Sequence, residues 1–309
     1  MRLNFILPLM LCAGVANAAT DLSAAIENVR TACGGISNEL SDMKTKAGIN
    51  TAVTGVGTVA GGVALGTGIA KANVDKDIVS LEQELANLEK LQGGKFDLLN
   101  ISDENAQSIN LEIQNYAQSI AAKQAEINEL EQKSKTLGNV RTGTMAGAAA
   151  TNIAGAVIAG TNRVRGDLKS QIDECIAATK TLSNVKMQAH MDGMADEFAL
   201  ARADKIVSAC SEWEYVDLSK IDNRAKGALA SSAIGATTGI VGTITSASAN
   251  SQGVRDGDAT KEKNLNTASN VLAGTTTVAS GAATIFNATQ ISAIKRAASV
   301  ADECEGALK

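Results

Sequence analysis

Val29-Arg30-Thr31-Ala32-Cys33 has a counterpart later in the chain, Ile206-Val207-Ser208-Ala209-Cys210. Asp173-Glu174-Cys175 likewise returns as Asp302-Glu303-Cys304. The matching strings occur in the same order, and each ends on its cysteine. Because ordered recurrence of this kind indicates internal repetition, the sequence predicts two copies of one structural unit, each bounded by two cysteines.

The middle of the first unit has the pattern of an antiparallel helical hairpin. Apolar residues recur there at helical spacings on both sides of a stretch rich in Gly, Ser, Asp and Asn: Ile78, Leu81, Leu85, Leu88, Ile113, Tyr116, Ile120, Ile127 and Leu130. Two heptad runs joined by turn residues predict a coiled-coil tip over residues 74–137. Glu104 lies in the predicted turn, midway between Cys33 and Cys175.

The second unit has a short polar turn at its middle. Gly257 lies in this turn, midway between Cys210 and Cys304. In a helical hairpin, residues equally distant from the turn lie opposite each other, which brings cysteines within bonding distance. We therefore expect the disulfides Cys33–Cys175 and Cys210–Cys304.

Four segments contain no charged residue and are rich in Gly, Ala and Thr: Ala47–Ala70, Thr142–Asn162, Gly227–Val254 and Asn264–Ile294. Each is bracketed by Lys or Arg. Since a glycine costs a helix about 0.8–1 kcal/mol relative to alanine, helices here need close packing or a water-free environment. Small residues four apart let helix backbones approach, so we expect helix packing at Gly57, Gly61, Gly62, Gly66, Gly143, Gly147, Gly235 and Gly239.

The sequence allows three interpretations of the structure and surroundings of these segments. In one interpretation they are four membrane spans, for which they are long enough, and all four cysteines then lie on the oxidising side. In a second, they pack as a soluble helical bundle through their small residues. In a third, they form Gly/Thr-rich β-structure. Their Thr, Ser and Asn content and their lack of flanking Trp and Tyr argue against spans.

The first residues are typical of a secretory signal. Arg2 precedes an apolar run over residues 5–15, and Ala16-Asn17-Ala18 is a small-x-small cleavage site. We expect cleavage after Ala18, which removes a signal peptide of residues 1–18 and, with it, Cys12. An even number of cysteines then remains for an oxidising compartment, the periplasm or cell envelope, with the protein membrane-associated or secreted.

The composition restricts the chemistry. A formal charge of −5, one histidine and 2% aromatic residues argue against a nucleic-acid partner and against histidine-based catalysis. We expect no cofactor and no enzymatic activity. A weak metal candidate is a helical stripe of soft ligands, Met187, His190, Met191 and Met194. The alternative is that this stripe is buried against a neighbouring helix.

The predicted fold is all-α, with two tandem long antiparallel helical hairpins. The first hairpin covers residues 19–185, a connecting helix covers 186–205, and the second hairpin covers 206–309. We expect a non-enzymatic cell-envelope protein whose Gly/Ala-rich hairpins insert in or pack against a membrane, or self-associate. Its acidic coiled-coil tip is then available to a protein partner. The alternatives are a soluble periplasmic or secreted coiled-coil scaffold and a secreted pore-forming helical protein.

Overall fold

The structure is a computed structural model that describes residues 21–99, 106–193, 196–255 and 259–309. These residues are helical and contain no strand, so the predicted all-α class is confirmed. The helices are α1 (21–33), α2 (Ile36–Leu99), α3 (Ala106–Thr161), α4 (Gly166–Met191), α5 (Glu197–Cys210), α6 (Leu218–Ala249), α7 (Gln252–Arg255) and α8 (Ala259–Leu308). A short 3-10 helix, Ser211–Tyr215, follows α5.

The four uncharged segments are helical despite their glycines. Their threonines satisfy their hydroxyls within the same helix, as when Thr58 Oγ1 donates to the carbonyl of Thr54 at 3.0 Å. Thr245 donates in the same way to the carbonyl of Val241 at 2.8 Å. This i−4 bonding makes threonine compatible with a helix interior. The β-structure interpretation of these segments is therefore wrong.

α2 and α3 pack antiparallel. Lys95 Nζ lies 2.5 Å from Glu112 Oε2, and Lys123 Nζ lies 2.8 Å from Glu84 Oε2. The two residues of each pair are nearly equidistant from Glu104, as a hairpin centred on that residue requires.

α6 and α8 form the second antiparallel pair. The hydroxyls of Thr238 and Thr276 lie 2.8 Å apart, and Arg224 donates to the carbonyl of Thr289. These partners are nearly equidistant from Gly257.

Several predicted features fall outside the described residues. They are the turn residues Glu104 and Gly257, the signal peptide over residues 1–18, and Met194. The described helices on either side of the two turns end at Leu99 and Arg255 and begin again at Ala106 and Ala259.

The chain divides into two compact units. Unit 1 comprises Met1–Val53, Ala154–Ser231 and Ala282–Lys309, and unit 2 comprises Thr54–Ile153 and Ser232–Gly281. Each unit contains residues of both hairpins. The boundary between the two compact units therefore does not coincide with the boundary between the two hairpins.

The connecting helix predicted over residues 186–205 is interrupted and belongs to two helices. α4 ends before Gly193, which has a φ of 63°, a left-handed conformation that favours glycine. α5 begins after Asp196, whose carboxylate accepts a hydrogen bond from the backbone N–H of Phe198 at 3.4 Å. A glycine turn and an N-cap thus end one helix and start another.

Candidate functional site

Two disulfides lie side by side in the core of unit 1. Cys33 pairs with Cys175 and Cys210 with Cys304, the pairing that the hairpin midpoints predict. The Sγ atoms of Cys33, Cys175 and Cys304 lie within 4.8 Å of one another. Because all four cysteines are bonded and buried, they are structural bridges here, and their sulfurs are not free to ligate a metal.

Large apolar side chains surround the bridges. Trp213, on the 3-10 helix, is 1% exposed. The buried aliphatic residues of the same cluster are Leu22, Val29, Ile36, Leu40, Leu168, Ile172, Leu182, Ile206, Ile221 and Ile294. This part of unit 1 has the core composition of a water-soluble protein.

Where the uncharged segments run through unit 2, the interior is built from small and polar side chains instead, whereas Leu81, Ile113 and Ile127 are buried in the predicted coiled-coil tip. The buried polar residues of unit 2 are Thr54, Lys71, Ser134, Arg141, Asn152, Ser232, Ser246, Asn266, Ser269, Thr276 and Ser280. A small hydrophobic cluster consists of Ala64, Met145 and Ala273. Hydrogen bonds join different helices, as when Asn152 Nδ2 donates to Ser280 Oγ at 2.7 Å.

Aliphatic side chains lie on the outward faces of the same helices in unit 2. Within the uncharged segments of unit 2, the exposed ones are Val56, Val59, Val63, Ile69, Ile153, Ile234, Ile240, Val241, Ile244, Val271 and Val278. Val59 and Val278 are 68% and 73% exposed. A water-soluble helical bundle has the reverse arrangement, with its aliphatic stripe inside and its polar residues outside.

The predicted helix-packing glycines divide into two sets. Four lie against other helices: Gly57, Gly61, Gly235 and Gly239. A Cβ at Gly61 would lie 2.7 Å from Thr277 Oγ1, and one at Gly239 would lie 3.0 Å from Ala149. At the other four, a Cβ would meet no atom of the described residues within 4 Å: Gly62, Gly66, Gly143 and Gly147. The spacing therefore identified close-packed glycines together with glycines that face outward.

A buried cation ties α2 to α8 inside unit 2. The Lys71 side chain is 1% exposed, and its Nζ donates to Asp75 Oδ2 at 2.7 Å and to Glu262 Oε1 at 2.9 Å. Ser134 Oγ extends the network to α3 by donating to Asp75 Oδ1 at 2.6 Å. The network around this ammonium group thus joins three helices, α3 through its contact with Asp75.

A second buried cation lies on α3. Arg141 donates from Nε to Ser246 Oγ at 2.9 Å, and from its two Nη atoms to Asn270 Oδ1 at 3.2 Å and Asn266 Oδ1 at 2.6 Å. Burial lowers the pKa of the Arg141 guanidinium, while the nearby carboxylates of the Lys71 network act in the opposite direction. Arg141 holds α3, α6 and α8 together through neutral oxygen atoms.

Sequence reasoning missed these two networks because it treated all bracketing basic residues alike. Lys46, at the other end of the first uncharged segment, has a side chain 36% exposed and pairs with Asp42 at 2.6 Å. Lys71 and Arg141 turn inward instead. The available signal was Asp75, four residues after Lys71 on the same helix, a spacing that permits an ion pair.

The described residues of the Met/His stripe, Met187, His190 and Met191, face solvent. Met187 and Met191 are 56% and 71% exposed, and His190 is exposed as well. The interpretation that this stripe is buried against a neighbouring helix is therefore wrong, because α4 buries Leu182 and Ala189 instead. In the described part of the chain, His, Cys, Asp and Glu side chains gather as a possible ligand set at the bridged cysteines alone.

Two helical stretches, Asp21–Leu98 and Leu218–Ala249, are long and apolar enough to cross a membrane. Of their most apolar parts, 28% and 33% is buried. Most of the apolar surface of these two stretches is therefore not buried against other parts of the chain.

Comparison with protein families, curated proteins and solved structures finds no match to this chain.

Proposed function

We propose that this chain is a non-enzymatic cell-envelope protein whose Gly/Ala/Thr-rich helices insert in a membrane as a bundle and act as a structural or interaction module. The observation that carries the proposal is the reversed polarity of unit 2. Aliphatic residues such as Val59 and Val278 face outward, while Asn152 and Ser280 face inward. We call this outward aliphatic surface the lipid-facing surface.

The energetics favour lipid over water around this surface. Full burial of a Val or Ile side chain is worth about 1.5–3 kcal/mol, which this arrangement forgoes in water. In a bilayer the same side chains meet acyl chains. Helix association there depends on close packing of small residues and on hydrogen bonds between helices. Gly61 against Thr277 and Asn152 against Ser280 supply both kinds of contact.

Export is supported by separate features. Two disulfides suit an oxidising compartment, and residues 1–18 have the pattern of a secretory signal. Neither feature depends on the lipid-facing surface. The proposed location is therefore the cell envelope.

The soluble scaffold is the second candidate, and the predicted coiled-coil tip over residues 74–137 favours it. Charged pairs such as Lys95–Glu112 and Lys123–Glu84 line this two-helix part of the chain, where they suit water. In the membrane proposal, the tip lies outside the bilayer and offers its acidic surface to a protein partner. In the scaffold, the whole chain stays in water.

Fractionation of cells with alkaline carbonate extraction tests the proposal. We expect the wild-type chain to remain with the membrane pellet. The double variant Val59→Lys, Val278→Lys puts charge on the lipid-facing surface, at a cost of about 2.5–3.5 kcal/mol per residue at a bilayer centre. Its pelleted fraction should fall sharply.

A matched control places the same charges on the coiled-coil tip. Leu91 and Leu111 are 54% and 61% exposed, and Leu91→Lys, Leu111→Lys should leave the pelleted fraction unchanged. Membrane insertion is rejected, and the scaffold supported, if carbonate releases the wild-type chain and the released protein stays dispersed without detergent.

A further inference from the structure

Four buried amide residues form two hydrogen-bonded pairs in unit 1, and the two pairs are neighbours because Asn287 and Gln290 lie one turn apart on α8. Asn50 on α2 donates from Nδ2 to Oδ1 of Asn287 on α8 at 3.0 Å. Gln290, one turn further along α8, donates from Nε2 to the backbone carbonyl of Asn162 at 3.0 Å. The four side chains are 0–1% exposed. We call this group the amide cluster.

The amide cluster lies where α3 ends. Asn162 follows the last residue of α3, and its N–H still donates to the carbonyl of Ile158 at 3.0 Å. Residues 163–165 leave the helix before α4 begins. Gln290 satisfies one carbonyl at this helix end, which is the kind of backbone group that needs an outside partner.

Four polar atoms of the cluster have no hydrogen-bond partner among the described residues. They are Nδ2 and Oδ1 of Asn162, Nδ2 of Asn287 and Oε1 of Gln290. An unsatisfied buried polar atom costs about 1–3 kcal/mol, so native proteins rarely leave several together. Something other than the protein is expected to pair with them.

The chemistry of these atoms selects the ligand. Two of them donate and two accept, and exchanging the oxygen and nitrogen of Asn162 leaves that balance unchanged. A cation would need acceptors alone, and an anion would need donors. Among the described residues of unit 1, no charged side chain is buried, so the ligand is neutral.

The ligand must also be small, because the amides are closed off from solvent. Water donates and accepts at once, and internal waters typically make about three hydrogen bonds to otherwise unsatisfied groups. We propose that the amide cluster binds internal water, which bridges Asn162 at the end of α3 to Asn287 and Gln290 on α8. The bridge stabilises the helix break whether or not the chain lies in a membrane.

An experimental structure of the full chain at a resolution that shows water provides the direct test. We expect density about 2.7–3.2 Å from the Asn162 side chain and from Gln290 Oε1. Amides turned into direct contact with one another, with no density between them, would overturn the proposal.

Thermal unfolding of Asn162→Leu gives a second readout whose sign discriminates. If water bridges the cluster, this change strands Gln290 and Asn287, and the midpoint falls by about 2–4 °C per kcal/mol lost. If Asn162 is merely unsatisfied, replacing it with an apolar residue of similar size raises the midpoint. The control is Thr179→Val, since the buried Thr179 hydroxyl is already satisfied by the carbonyl of Cys175 at 2.8 Å.

Salt identity completes the test. The wild-type midpoint should be the same in lithium, sodium and potassium chloride at equal ionic strength. A midpoint that rises with one of these cations alone would overturn the water assignment in favour of a bound cation.

Discussion

The disulfide region of unit 1 and the interior of unit 2 are built from opposite kinds of residue, although the same hairpins run through both. Around the bridges, Trp213 and Leu40 are buried as in a water-soluble core. In the uncharged segments of unit 2 the buried positions carry mainly small or polar residues, the buried cations Lys71 and Arg141 lie beside them, and most aliphatic residues face outward. The proposed membrane insertion accounts for this difference, because the same helices then meet water in one region and lipid in the other.

The comparison also separates two sources of stability. Unit 1 has covalent bridges and apolar burial, both of which operate in water. Unit 2 depends on close backbone approach and on hydrogen bonds within a bundle whose outside is apolar. Substitutions that destabilise unit 1 should therefore be detected by different measurements from substitutions that destabilise unit 2.

Removal of one bridge is the strongest test, and it should affect unit 1. The cysteines are separated by 142 and 94 residues, and closing loops of this length contributes about 4–5 kcal/mol each in the chain-entropy model. We expect Cys33→Ser, Cys175→Ser to loosen the surroundings of Trp213, seen as a red-shifted tryptophan emission. Hydrogen exchange followed by mass spectrometry should rise in unit 1 more than in unit 2. An equal rise in both would remove the distinction drawn above.

Loss of the buried ammonium is the matching test for unit 2. Lys71→Met leaves Asp75 and Glu262 without their cation, and breaking a buried pair in this way costs about 3–5 kcal/mol. Circular dichroism during heating should show the loss. The control is Lys46→Met, at the exposed end of the same uncharged segment, where the expected cost is below about 1 kcal/mol.

A further variant sharpens the Lys71 prediction. Asp75→Asn and Glu262→Gln, added to Lys71→Met, remove the stranded charges and should recover part of the stability. Equal losses for Lys71→Met and Lys46→Met would contradict the burial of the Lys71 network.

Neighbouring glycines test the direction of packing with a smaller effect. At Gly61 an added Cβ meets Thr277 at 2.7 Å, so Gly61→Ala should cost about 1–3 kcal/mol. At Gly62 the Cβ has open space, and Gly62→Ala should stabilise by up to about 1 kcal/mol through helix propensity. Melting midpoints of the two variants give the comparison. A large loss at Gly62 would show that a second copy or another partner covers the outward face.

The smallest expected effect is a loss of folding stability at low pH. Burial raises the pKa of Asp222, but hydrogen bonds from Lys226 and Arg163 outweigh it and leave that pKa below its usual range. A carboxylate with a lowered folded pKa contributes its full stability above the unfolded value, and the contribution disappears as the pH falls through the folded value. Since the two basic partners are half exposed, we expect less than about 1 kcal/mol.

Stability measured against pH checks this prediction with Asp222→Asn. The variant should be slightly less stable than wild type at neutral pH and equal to it in strong acid. A difference that persists at low pH would mean that Asp222 acts through packing and not through its charge.

Much of the helical framework could be predicted from the sequence, because the features that set it are local or periodic. Recurrence of the cysteine strings, heptad spacing and turn residues together predicted antiparallel pairs and the pairing of Cys33 with Cys175. The break at Gly193 was missed, although a glycine followed by the potential N-cap Asp196 was visible. The helical spacing of Met187, His190, Met191 and Met194 spans this glycine and indicated one unbroken helix.

The candidate site was predictable only in part. Uncharged segments rich in glycine indicated helix packing, but the spacing does not distinguish Gly61, which faces another helix, from Gly62, which faces outward. The same limitation applies to Lys71 and Lys46, which bracket one segment yet differ in burial. Which face of a helix is covered depends on partners distant in sequence.

The sequence by itself determined that this chain is helical, that two hairpins repeat one plan, and which cysteines lie opposite each other. These conclusions follow from the spacing of the apolar residues, the residue types in the turns, and the number of residues between each cysteine and the nearest predicted turn. The tertiary structure alone decided that, in the uncharged segments of unit 2, small and polar side chains face inward and most aliphatic ones outward. It also decided that Asn162 meets Gln290. The physical reason is that burial and hydrogen-bond pairing depend on residues more than a hundred positions apart. How the helices that carry them are rotated toward each other cannot be read from a local sequence pattern.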